Sequence, residues 1–118
     1  MFKIKRVYAV VEPSDRYRVL VDRLWPRGIS KERAGIDVWM KEIAPSDQLR
    51  KWFGHDPKRW LEFRKRYRAE LRAKTELIGQ LREFEKKYGT VTLVYSARDE
   101  EHNQAVVLSE FLHGSRSR

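Results

Sequence analysis

The chain contains no cysteine, which excludes a disulfide scaffold, a thiolate nucleophile and a thiolate-ligated metal. No stretch approaches the roughly 18 consecutive apolar residues of a membrane-spanning helix, so no membrane partner is expected. The first residues, Met1-Phe2-Lys3-Ile4-Lys5-Arg6, lack the apolar run of a secretory leader. The three histidines, His55, His102 and His113, follow no metal-ligand spacing, and the sequence implies neither a metal nor any other cofactor. There is no internal repeat and no linker. These absences describe a small, soluble, cytoplasmic protein of one domain.

What the chain has is charge. Among 118 residues, 26 Lys and Arg stand against 17 Asp and Glu, a formal net charge of +9. Residues 45–88 carry 13 basic and 7 acidic residues, whereas residues 89–118 carry 3 and 4, so the positive field belongs to the middle of the chain. Arginine outnumbers lysine 16 to 10, which suits phosphate and carboxylate recognition and also surface ion-pair networks. A hydrophobic share of 41%, with four Trp, five Tyr and five Phe, is enough to build a core.

The patterning predicts strands at residues 3–10, at Arg18–Leu24 and at Thr90–Ser96. Helices are predicted over Ile36–Ala44 and Ser46–Phe53, and from Asp56-Pro57 to about residue 88. A straight helix through the last segment would span about 45 Å, so a break is expected near Lys74–Gly79. Asp99 is expected to cap a final helix, and residues 114–118 read as a disordered tail behind a single domain of residues 1–113. Helices between the second and third strands favour an α/β layer structure with those strands parallel.

Asp22 interrupts an apolar strand near its carboxyl end, where open α/β sheets place ligand crevices and where a carboxylate must be paired or shift its pKa. Arg23 and Arg27 beside it offer bidentate donors, and Trp25 is either a stacking platform or a core residue. If the strands are parallel, Tyr95 and Ser96 emerge on the same edge, with Asn103 pointing back into the crevice. Ser46 and Arg50 open a helix with the makings of a phosphate site, beside Trp52, and His55 is a candidate acid or base. Arg64, Arg68 and Arg72 recur every fourth residue as a row for nucleic-acid phosphates or a solvated basic face.

A longer string of residues points further. Val21-Asp22-Arg23-Leu24-Trp25-Pro26-Arg27-Gly28, Lys31-Glu32, Asp37 and Trp39 lead into Ala44-Pro45-Ser46, Leu49-Arg50 and Trp52-Phe53-Gly54-His55-Asp56-Pro57. Trp60, Phe63, Tyr67, Glu70-Leu71, Thr92-Leu93, Tyr95, Asp99, His102-Asn103 and Val107-Leu108 continue it. Over residues 3–112 the chain resembles the YeaO-like proteins of the domain-of-unknown-function family 488. The resemblance implies a small, single-domain, Rossmann-like three-layer fold with a short, mainly parallel sheet flanked by helices. It also implies functional residues at the strand ends, Asp22 and Arg23 among them. Longer relatives carry cysteines and a histidine where this chain has Tyr95, Asn103 and Gln104, so a thiol-dependent chemistry has no thiol here.

Three functional readings follow. The first is a small enzyme acting on a nucleotide, nucleic acid or other phosphorylated substrate. In it Asp22 is the acid/base or orienting carboxylate, Arg23, Arg27 and Arg50 hold phosphate, and Trp25, Trp52 or Tyr95 stacks a ring. The second is a non-catalytic nucleic-acid-binding module built on the basic helix, and the third a structural or protein-interaction domain. An anionic small molecule or a nucleic acid is therefore the expected partner; the oligomeric state stays open.

Overall fold

The computed structural model describes residues 1–116. Its sheet has four strands, β1 (Phe2–Arg6), β2 (Tyr17–Leu20), β3 (Val38–Trp39) and β4 (Val91–Tyr95), in the order β1-β4-β2-β3 with every neighbouring pair parallel. The helices are α1 (Lys31–Ala34), α2 (Asp47–Phe53), α3 (Trp60–Arg72), α4 (Thr75–Tyr88) and α5 (Gln104–Arg116). The α/β class and the layered, parallel arrangement are as the sequence implies.

Alternation along the strands sorts the two faces. Phe2, Val19, Val21, Val91, Leu93 and Tyr95 point to one side, where Phe53, Phe63, Tyr67, Leu71, Leu81 and Leu108 from α2 to α5 close the main core. Val7, Leu20 and Val94 point to the other, under Ala34 of α1 and the half-buried Trp25, Ile29, Ile36 and Trp39. The second face also holds charge. Asp15 and Arg18, 1% and 2% exposed, pair at 2.6 Å, and the Lys5 ammonium lies 3.1 Å from both Asp15 oxygens. Arg18 completes its donors on the carbonyls of Ala34 (2.9 Å) and Gly35 (3.1 Å).

Several expectations need correction. Residues 36–44 are not a helix. Val38 and Trp39 pair with Val19 and Leu20 as the edge strand β3, and only Lys41–Ile43 makes a 3-10 turn. Trp39 is held there by its indole N–H on the Asp22 carbonyl at 2.7 Å, a tertiary contact that local periodicity does not report. The predicted strand at 3–10 ends at Arg6, where Ala9 N–H turns back onto the Arg6 carbonyl at 3.0 Å, and the predicted strand at 18–24 is shorter as well.

The expected break in the long helix falls at Ala73-Lys74, at the start of the stretch named for it. Ala73 and Lys74 close α3 with bonds to the carbonyls of Glu70 and Leu71, while Gly79 lies inside α4. The last helix starts at Gln104, not at Asp99. Asp99 accepts from the backbone of Glu101 and His102 in a separate turn, and Asn103 Oδ1 accepts from Val106 N–H at the helix start. The expected tail from Gly114 overlaps α5, which runs to Arg116; Ser117 and Arg118 lie outside the described residues.

Candidate functional site

The carboxyl ends of β2 and β4 lie side by side because the two strands are parallel neighbours with Leu20 opposite Val94. Val21 N–H continues the pairing onto the Val94 carbonyl at 3.0 Å, and the next residue is Asp22. Its carboxylate is 8% exposed and meets donors from the neighbouring element. Oδ2 accepts from Ser96 N–H at 3.1 Å and from the Ser96 hydroxyl, and Oδ1 accepts from the Gln104 amide at the start of α5. Burial raises the Asp22 pKa above the ordinary carboxylate value, against the lowering pull of these donors and of the His55 charge.

Arg23 turns away from Asp22. Its guanidinium donates to the carbonyls of Pro45 (3.1 Å) and Ala44 (3.3 Å), with Glu42 and Asp47 at 3.8 and 3.9 Å. Lys74 joins it on the Ala44 carbonyl at 2.8 Å, and burial lowers the Lys74 pKa. Ser46 caps α2 by accepting from Leu49 N–H at 3.2 Å, and Glu70 of α3 accepts both from its backbone N–H (2.9 Å) and from its hydroxyl (2.6 Å). The anion that a helix N-terminus attracts is thus already present, and it belongs to the chain itself.

The remaining candidates scatter. Tyr95 is 2% exposed in the main core, where burial raises its pKa. Asn103 is 1% exposed, and its amide donates to the Asp99 carbonyl while its Oδ1 serves α5. Trp25 is half-buried, packs edge-to-face on Trp39 at 5.5 Å and donates to the Ile29 carbonyl. Arg27 is exposed, and its carbonyl accepts from the Tyr8 hydroxyl at 2.6 Å. His55 is exposed with φ of +57°, directly after Gly54 at +52°.

Arg50 pairs with Asp47 at 3.3 Å. Trp52 lies under the guanidinium groups of Arg66 (4.2 Å) and Arg59 (5.2 Å). On α3, Arg64 and Arg68 share Glu110 of α5 at 3.1 and 3.4 Å, while Arg72 is exposed. The structure therefore brings Asp22 and Ser96 together, separates Arg23 from them, and divides the basic row. Gln104 and Glu70 are the partners that sequence reasoning misses. Their contacts span 82 and 24 residues, and no local spacing announces them.

Among the described residues, no group of three potential ligands is placed to hold a metal ion, and no helix is long and apolar enough to cross a membrane. An uncharacterised protein of Mycobacterium tuberculosis, Rv3073c, is 40% identical over 112 residues, covering 95% of this chain and 93% of its own. Uncharacterised protein YeaO of Escherichia coli is 46% identical over 108 residues, covering 92% and 93%. No solved structure matches. A family model described as the inactive DUF488-N3 subclade matches residues 1–118. With that match over the whole chain and these relatives alongside, the protein belongs to the inactive DUF488-N3 subclade of the DUF488 family.

Proposed function

We infer that this is a non-catalytic protein that binds nucleic acid through the basic face of α3. One contrast carries the reading. At the strand ends the anion-accepting groups are taken by the chain's own carboxylates, Asp22 on Ser96 and Gln104 and Glu70 on Ser46, whereas on α3 and its leading turn Lys58, Lys65 and Arg72 are exposed without a carboxylate partner among the described residues, beside Arg64 and Arg68 on Glu110 and Arg66 on Glu62. Between Pro57 and Arg72 lie seven basic residues, Lys58, Arg59, Arg64, Lys65, Arg66, Arg68 and Arg72, against Glu62 and Glu70, and Glu70 is spent on Ser46. Such a surplus on one helix attracts phosphates with release of counterions. The family's description as inactive supports the absence of catalysis.

The catalytic reading draws on the raised Asp22 pKa, a perturbation of the kind that functional carboxylates show. A carboxylate engaged by three donors, with Arg23 committed to carbonyls elsewhere, supports it less well. The deciding experiment is fluorescence anisotropy of labelled single-stranded and duplex oligonucleotides across a salt series. Binding whose logarithm falls linearly with the logarithm of salt is expected; no binding at low salt, or affinity indifferent to salt, refutes the reading.

A further inference from the structure

We propose that the groove between the amino end of β2 and the C-terminal end of α4 binds a small anion carrying a planar ring, the chemistry of a nucleoside monophosphate. The groove lies at the opposite end of β2 from Asp22 and is lined by Arg16, Tyr17, Asp37, Lys87 and Tyr88. Its volume of about 430 Å³ is within the range of small-molecule sites and larger than a bare phosphate requires.

The two cations and the carboxylate of the lining keep capacity for a ligand. The Arg16 side chain is exposed and makes no ion pair among the described residues, and the Lys87 ammonium rests only on the Tyr88 ring, 5.3 Å from its centre. Two cations face one carboxylate, so the groove favours an anion. Asp37 spends Oδ2 on Arg18 N–H at 2.8 Å, leaving Oδ1 to accept from a ligand hydroxyl or amino group. Tyr17 and Tyr88 stack in parallel, 4.1 Å apart at 4°, and Tyr88 is 36% exposed, so an aromatic wall faces the space. Burial, with Tyr88 and Asp37 nearby, raises the Tyr17 pKa, and its side-chain hydrogen bond with Tyr88 fixes the pair as one aromatic wall.

The backbone gives an independent indication. Arg16 has φ +55° and ψ −117°, a conformation natural to glycine and strained for a residue with a side chain. Bonds from Arg16 N–H to the Pro13 carbonyl and from Tyr17 N–H to the Thr90 carbonyl, both 3.2 Å, hold it there. A position that glycine fills without strain carries instead an exposed cationic residue that lines the groove. The side chain's use offsets the strain.

The test is calorimetric titration of the full chain with AMP, CMP, adenosine and inorganic phosphate. AMP or CMP should bind, with adenosine and phosphate weaker by about tenfold or more. Arg16→Gly should weaken nucleotide binding by about tenfold without lowering Tm, because the variant relieves the backbone, and Lys87→Ala should weaken it similarly. The triple variant Arg64→Ala, Arg68→Ala, Arg72→Ala should bind AMP as the wild type does, which separates this groove from the α3 face. Absence of nucleotide binding at millimolar concentration overturns the proposal, as does an unchanged Kd in both groove variants. Phosphate binding as well as AMP overturns the role of the ring.

Discussion

Glu70 holds Ser46 with both carboxylate oxygens, one on the backbone N–H at 2.9 Å and the other on the hydroxyl at 2.6 Å. The pair ties α3 to the start of α2 across 24 residues, while Arg23 and Lys74 hold the Ala44 carbonyl two residues before it. Asp22 does the same for the loop after β4 through Ser96. Both crevice-forming segments of the carboxyl edge are thus fastened by internal carboxylates. An edge that would otherwise present free N–H groups to a ligand is instead used to hold the layers together.

Glu70→Ala should therefore destabilise the fold by about 1–3 kcal/mol, since two partly buried donors lose a charged acceptor. Glu70→Gln should fall between, because its amide nitrogen repels one of those donors. Urea unfolding measures both. A Glu70→Ala loss below about 0.5 kcal/mol would show that water replaces the carboxylate without cost.

Asp22 should make the protein more stable on mild acidification. Its folded pKa is raised by burial, so the folded state holds a proton that the unfolded state has already released. Stability from this group is present below the unfolded value and declines as pH rises through the folded one. Denaturant unfolding from pH 3.5 to 8, wild type against Asp22→Asn, isolates the effect. The wild type should lose stability relative to Asp22→Asn as pH climbs just above the ordinary carboxylate range; a constant difference contradicts it.

How much of this was legible in advance depends on the distance over which each feature is written. Strand β4, helix α2 with its Ser46 cap, and the Phe63, Tyr67, Leu71 stripe are local patterns, and each stands where the sequence places it. Strand β3 is two residues long and is held by its pairing to β2 and by the Trp39 indole on the Asp22 carbonyl, tertiary contacts that its own helix-like sequence does not carry. Asp22 and Ser96 could be paired from strand-end logic alone. Glu70 and Gln104 could not, because a glutamate or glutamine on a helix face looks like any solvated residue until the fold brings a partner to it.

The α3 row should not contribute evenly to nucleic-acid binding. Arg64 and Arg68 share Glu110, so each must leave an existing partner before reaching a phosphate, whereas Lys65 and Arg72 are exposed without one among the described residues. Arg72→Ala and Lys65→Ala should each lower the salt slope by about one, and Arg64→Ala and Arg68→Ala by less. Glu110→Gln should tighten binding by freeing both arginines. Anisotropy titrations at four or more salt concentrations per variant read these slopes, and equal slopes throughout would mean that α3 is not the contact surface.

Asp15 should act with the opposite sign to Asp22. Burial works to raise its pKa, but the Glu12 N–H, Lys5 and Arg18 outweigh burial and hold the carboxyl below its ordinary value. Stability from Asp15 is then present above the unfolded pKa and lost as pH falls through the folded one. Asp15→Asn should remove that acid loss. Arg18→Met keeps the apolar stem but leaves Asp15 buried with Lys5 as its one cation beside the Glu12 N–H, and the carbonyls of Ala34 and Gly35 without their donors. Breaking a buried pair from one side costs about 3–5 kcal/mol. The double variant Asp15→Asn, Arg18→Met should recover part of that cost, since no unpaired charge remains. Chemical denaturation at pH 7 and pH 3 on the two single variants and the double variant closes the cycle. An additive result would place the stabilising contact in Lys5–Asp15 instead of Arg18–Asp15.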